Sequence, residues 1–226
     1  MFLEAPREQL QEVYVSESFL EKCSCREHLE EVGYEVVSDS VFSKISDTCT
    51  PQGVLCVLKQ FHYNIEEMLR DKAPLFLLLE NIQDPGNLGT MLRTGEGAGV
   101  SGIIMSRDTV DLYNPKVIRS TMGSIYRVPF YYADDFAAAV HQVQQAGVSV
   151  YAAHLRGKNS YACQDYTKGT AFLIGNEGNG LREETAELAD CYIRIPMEGK
   201  VESLNAAVAS SILMYEAHRQ RATIEK

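Results

Sequence analysis

The sequence predicts an α/β fold, with a mostly parallel sheet covered by helices on both faces over residues 73–226 and a small α/β unit over residues 1–72. Three observations carry this. Five apolar runs, LFLLLE, GVSGIIMS, VSVYAAHL, TAFLIG and CYIRIP, alternate with helical segments after Leu75. Such near-continuous apolar strands are the mark of a sheet buried on both sides. The polar stretch FHYNIEEMLRDKAP, closed by Pro74, separates them from what precedes. The chain has 226 residues and 45% hydrophobic content, enough for one good core or a small and a medium one.

In the first unit a helical stretch from Ser18 to Val32 is followed by a short strand, YEVVS. A helical SDSVFSKISD and an apolar VLCVLK complete it. The N-terminus is charged throughout, and no run of about 18 apolar residues occurs, so a secretory signal and a membrane span are both excluded. A cytoplasmic protein is expected. Six scattered cysteines, of which only Cys23 and Cys25 lie close, match neither a zinc-ligand spacing nor a disulfide framework, and no metal is expected.

The net charge of −10 argues against diffuse electrostatic binding of nucleic acid. It is unevenly spread. Residues 1–72 carry 7 basic and 14 acidic side chains, whereas residues 73–226 carry 14 and 17. A local basic groove on the second unit is therefore open, with Arg93, Arg107, Lys116, Arg119, Arg127 and Arg156 as candidates; each is equally readable as solvated surface.

In parallel sheets ligands bind at loops leaving the carboxyl ends of strands, so the chemistry is sought there. After LFLLLE an Asp-Pro-Gly turn feeds a helix, with Asn87 placed where a cap would sit and Arg93 among small and apolar neighbours. After TAFLIG comes the glycine-rich Gly175-Asn-Glu177-Gly178-Asn-Gly180. Glycines allow a backbone to approach a ligand, although a plain turn has the same composition. This loop lacks the Gly-Lys-Ser/Thr ending of a phosphate loop and is not a dinucleotide fingerprint. After CYIRIP, the run Ile195-Pro-Met197-Glu-Gly199 leads through Ser203-Leu204-Asn205 into a helix, where Ser203 or Asn205 serves as cap. Ala206, Ala209, Ser210 and Leu213 form a small-residue stripe on that helix, fit for close packing of a ligand, a backbone or a core.

In order and wording these segments resemble the three motifs of the SpoU (TrmH-like) branch of the SPOUT RNA 2′-O-ribose methyltransferases. Asn87 and Arg93 match the first; Gly175, Glu177 and Gly178 the second; Ile195 to Gly199 with Ser203 to Asn205 the third. Ser120 to Pro129 resembles a linking S-x-G-x-x-x-R-x-P element. The resemblance covers about residues 75–220. It implies a C-terminal deep trefoil knot, a homodimer, and S-adenosyl-L-methionine held around Gly175, Gly178, Ile195, Met197 and Leu204. It also implies a catalytic set of Arg93, Asn87, Glu177, Ser203 and Asn205 acting on a ribose 2′-hydroxyl. Ribosomal RNA is the expected substrate, with tRNA as runner-up. Residues 1–60 resemble part of a small ribosomal-protein-like RNA-binding domain, whose expected first strand and helix are not found.

Two rivals come from other classes. A nucleotide-dependent oxidoreductase needs a glycine fingerprint right after its first strand and an acidic residue about 20 positions on, a pattern absent here. A catalytically silent RNA-binding or assembly module of the same fold is the alternative, to be separated from an enzyme by cofactor binding followed by methyl transfer.

Overall fold

The computed structural model describes residues 1–224. They fall into two compact units, Met1–Phe61 and the remainder from His62, a division at the start of the polar stretch that ends in Pro74.

The first unit is a three-stranded sheet with three helices. Strand β1 (Leu10–Ser16) lies at its centre, parallel to β2 (Glu35–Val37) and antiparallel to β3 (Val54–Leu58). The helices are α1 (Glu17–Lys22), α2 (Arg26–Val32) and α3 (Asp39–Ile45). The helical stretch expected from Ser18 to Val32 is thus two helices, broken around Cys23 and Cys25. A first strand, expected to be missing, is present as β1. Its alternation puts Val13 and Val15 into a small core with Leu29, while Gln11 and Glu12 are exposed; these two polar residues mask the strand in the sequence. Hydroxyls cap two of the helices, Ser16 accepting from the Phe19 N–H and Ser38 from that of Val41.

The second unit is built on a seven-stranded sheet. In chain order its strands are β4 (Leu75–Leu79), β5 (Gly102–Ser106), β6 (Phe130–Ala133), β7 (Ser149–Ala153), β8 (Asn159–Ser160), β9 (Thr170–Ile174) and β10 (Cys191–Arg194). They lie side by side as β6-β5-β4-β9-β7-β10-β8, every pair parallel. All five residues of β4 are fully buried, because it sits inside the sheet with both faces covered. Strands β6 and β8 add to the five expected from apolar runs.

The helices are α4 (Ile65–Met68), α5 (Pro85–Ala98), α6 (Pro115–Thr121), α7 (Phe136–Gln145), α8 (Glu183–Ala186) and α9 (Ala206–Ile224). Among the described residues no helix is long and apolar enough to cross a membrane. Helix α5 packs against α6 and α9. Gly89 makes the first contact possible: a Cβ there would fall 1.8 Å from the Ser120 hydroxyl oxygen. The helix ends at Gly99 in the left-handed conformation (φ 78°), which closes it against β5. Of the small-residue stripe on α9, Ala206, Ser210 and Leu213 are buried within this chain and Ala209 partly so. Ser210 and Leu213 of the stripe serve the protein's own packing, while Ala206 and Ala209 also line an apolar hollow. The face of α9 left outward carries Val208 and Tyr215, each about half exposed.

Because all seven strands run the same way, the segments after β4, β7, β9 and β10 emerge at one edge of the sheet. These are 80–84, 154–158, 175–182 and 195–205.

Candidate active site

Helix α5 begins at that edge. Its cap is Asp84, whose Oδ1 accepts the Asn87 N–H at 2.8 Å, with Pro85 in the first turn. The expectation that Asn87 is the cap is therefore corrected: Asp before Pro is the stronger helix start, since proline's missing N–H costs nothing there. Asn87, one turn in, is freed for tertiary work. It is 9% exposed, its amide donates to Glu177 Oε1 at 3.0 Å, and its Oδ1 accepts from the Asn205 amide at 2.9 Å. Asn205 in turn caps α9, its Oδ1 accepting from the N–H groups of Ala207 (2.9 Å) and Val208 (3.2 Å). Of the two cap candidates, Asn205 takes the place and Ser203 stays in the preceding loop.

Glu177 also receives the backbone N–H groups of Gln83 (3.1 Å) and Asp84 (3.0 Å). Partial burial pushes its pKa up, but the hydrogen bonds from Asn87, Gln83 and Asp84 prevail and hold it below the usual range for glutamate. A carboxylate so engaged is a clamp, and a poor proton acceptor at neutral pH. Asn176 adds a second clamp, donating to the Asn81 carbonyl at 2.8 Å and accepting from the N–H groups of Gly178 and Asn179. Asn81 is held at φ 54°, a left-handed turn that carries the chain from β4 toward the helix. Asp84, Asn81 and Asn176 escaped the sequence reading; only Asp84, as Asp-Pro, left a local signal.

Two hollows share this framework. One is an open polar cleft lined by Asp84, Asn87, Glu177, Ser203 and Asn205. The other, of about 250 Å³, has apolar walls from Leu181, Ile195, Met197, Leu204 and Ala209 and a backbone floor at Gly175–Gly180. His154 also lines it; burial and then the Arg156 charge hold this imidazole below its ordinary pKa. Gly175 is required by the loop itself, because a Cβ would lie 2.2 Å from the Leu181 nitrogen. Gly178 lines both hollows, and a Cβ there would meet only the Asn176 side chain at 3.6 Å.

Nine of the ten candidate residues thus gather at one edge of the sheet. Arg93 does not. It is exposed, lines neither hollow, and shares the outward face of α5 with Thr90 and with Gly97, where a Cβ would lie 3.1 Å from the Tyr215 hydroxyl. Among the basic candidates, Arg107 pairs with Asp134, Arg127 with Glu96 and Arg156 with Glu183. Arg93, Lys116 and Arg119 have no acidic partner among the described residues.

Residues 74–215 match the SpoU rRNA methylase family. The chain belongs to that family.

It is a methyltransferase that uses S-adenosylmethionine. Among SpoU relatives, the 23S rRNA (guanosine(2553)-2'-O)-methyltransferase RlmP of Bacillus subtilis is 35% identical over 180 residues, which is 80% of this chain and 70% of the relative. The AdoMet complex of the SpoU methyltransferase AviRb from Streptomyces viridochromogenes superposes with a TM-score of 0.84 at 26% identity, covering 95% of this chain and 84% of that one. The AdoMet-bound rRNA methyltransferase from Sinorhizobium meliloti gives 0.81 at 31% identity, covering 93% and 80%. The 250 Å³ hollow suits the SpoU cofactor: apolar walls accept an adenine ring, and glycine backbone can approach it without Cβ obstruction.

Proposed function

We propose that the protein methylates a ribose 2′-hydroxyl of ribosomal RNA, most specifically of the large subunit. The observation that carries this is the chain Glu177–Asn87–Asn205, which ties the three motif segments together between the apolar hollow and the polar cleft. The similarity to RlmP supports the choice of substrate class.

In this reading Gly175, Gly178, Ile195, Met197 and Leu204 hold the cofactor, and the ribose enters the cleft. S-adenosylmethionine supplies an electrophilic methyl, and its transfer to the ribose oxygen leaves S-adenosylhomocysteine and one proton. Asn87 and Asn205 orient the sugar, Glu177 fixes the loop, and Ser203 contacts substrate. Arg93 stabilises the developing alkoxide as a fixed cation and hydrogen-bond donor, and the proton of the ribose hydroxyl passes to a phosphate oxygen of the RNA.

A homodimer completes the site. What supports it is the outward face of α5, which carries Arg93 and Gly97, and that of α9, which carries the half-exposed Val208 and Tyr215, with Gly97 lying against the Tyr215 hydroxyl. A second copy packed there gives Arg93 a cleft to serve, which its own chain does not. The same reading includes the deep trefoil knot, supported by the return of the chain after β10 to Asn87 through Asn205, and a cytoplasmic location, where ribosomal RNA is found. The first unit selects the RNA and takes no part in the chemistry.

The test is transfer of labelled methyl from S-adenosylmethionine to ribosomal RNA lacking 2′-O-methyl groups, with the product mapped by mass spectrometry. Ribose methylation at one large-subunit position is expected. Methylation of tRNA alone would overturn the substrate, and cofactor binding without transfer to any RNA would favour the silent module.

A further inference from the structure

Glu80 follows the last residue of β4 and is 2% exposed, yet it lines neither hollow. A buried acidic side chain outside the site needs a reason, since burying one without partners is costly. Its partners all come from one place. Oε2 accepts the Arg182 N–H at 2.8 Å, Oε1 accepts the Thr185 hydroxyl at 2.5 Å, and the Arg182 guanidinium lies 3.5 Å from Oε1 while also pairing with Asp108. Meanwhile the Glu80 N–H donates to the Ile174 carbonyl at 2.9 Å.

Residue 80 therefore grips both ends of the segment 175–181, through its backbone at Ile174 and through its side chain at Arg182 and Thr185. Between those ends lies the glycine floor of the cofactor hollow. The middle is clamped separately, by Asn176 to Asn81 and by Glu177 to the start of α5. Gly180 is tied to Asn176 by two backbone hydrogen bonds of 2.9 and 3.0 Å, so release of the far end would loosen Leu181, which lines the hollow together with Ile195 and Leu204.

We propose that Glu80 is a positioning residue for the cofactor, acting through Arg182 and Thr185 to hold the loop 175–181 at the spacing the cofactor needs. This rests on the assignment of that hollow to S-adenosylmethionine. What matters is acceptor geometry. Gln at this position keeps one oxygen for the Arg182 N–H and can donate its amide to the Thr185 oxygen, so Glu80→Gln should recover most of what Glu80→Ala loses.

Calorimetry with S-adenosylhomocysteine, single-turnover methylation and amide hydrogen exchange form the test. Glu80→Ala is expected to weaken the cofactor about tenfold, on the order of one or two net hydrogen bonds. Turnover at saturating cofactor should be retained, and faster exchange confined to 175–182. Should that variant fail to fold, Thr185→Val removes one contact and should weaken binding severalfold. A folded Glu80→Ala with unchanged affinity, or Glu80→Gln as weak as Glu80→Ala, overturns the proposal. Failure of the wild-type protein to bind S-adenosylhomocysteine would instead sink the cofactor assignment.

Discussion

Asn205 donates its side-chain amide to Oδ1 of Asn87 at 2.9 Å, across 118 positions of sequence. Each asparagine also serves its own helix or loop, so this single contact couples the start of α9 to the start of α5 and, through Glu177, to the glycine loop.

Replacing Asn87 tests that coupling. Asn87→Ala leaves Glu177 and Asn205 each short of a partner but open to water, and should cost about 1 kcal/mol in denaturant unfolding, the net worth of an ordinary hydrogen bond. Asn87→Asp should be worse at neutral pH, because it sets a second carboxylate against Glu177 Oε1, and part of the loss should return on acidification. Equal stability of the two variants at pH 7 would contradict the arrangement.

The clamp at Glu177 also gives a pH dependence with a definite sign. Its pKa is lower in the folded protein than in the unfolded chain, so the folded state binds fewer protons between the two values. The stabilisation is therefore fully present above the ordinary glutamate range and is lost as pH falls through the lowered folded value. Wild-type stability should decline more steeply with acid than that of Glu177→Gln; parallel profiles would remove Glu177 from this role.

Gly175 and Gly178 should respond oppositely to alanine. Gly175→Ala forces a Cβ onto backbone 2.2 Å away and should disrupt the loop and lower the thermal midpoint. Gly178→Ala meets only an ordinary contact at 3.6 Å, so the fold should be unchanged while binding of cofactor or RNA suffers. Full activity of Gly178→Ala would show that nothing approaches its backbone.

For Arg93, exposed and unpaired among the described residues, Arg93→Ala should leave stability and cofactor affinity unaltered. The single-turnover rate should fall about 10²- to 10³-fold, the effect of removing one preorganised electrostatic donor. Arg93→Lys should also be poor, because an ammonium cannot replace the planar fork. If Arg93 serves the partner's cleft, mixing Arg93→Ala protomers with Asn205→Ala protomers should restore part of the activity. Normal turnover by folded Arg93→Ala would exclude it from the chemistry.

The sequence by itself determined the α/β class, five apolar strands of the second unit and the three segments that carry the site. Those depend on local signals: apolar runs such as Leu75–Leu79, and glycine, proline and asparagine at fixed offsets. It did not reveal β1, where the exposed Gln11 and Glu12 interrupt the apolar signal of Val13 and Val15, nor β6, which follows Pro129 directly, nor β8, only two residues long. Only tertiary structure decided that Asp84 caps α5 and so releases Asn87, that Asn205 rather than Ser203 caps α9, and that Glu80 reaches Arg182. It also decided that Ser210 and Leu213 of α9 serve this chain's own core, that Ala206 and Ala209 line the apolar hollow, and that Arg93 faces outward. Hydrogen bonds between residues about 90 to 120 positions apart leave no periodicity to read, because their partners are chosen by the order of strands in the sheet.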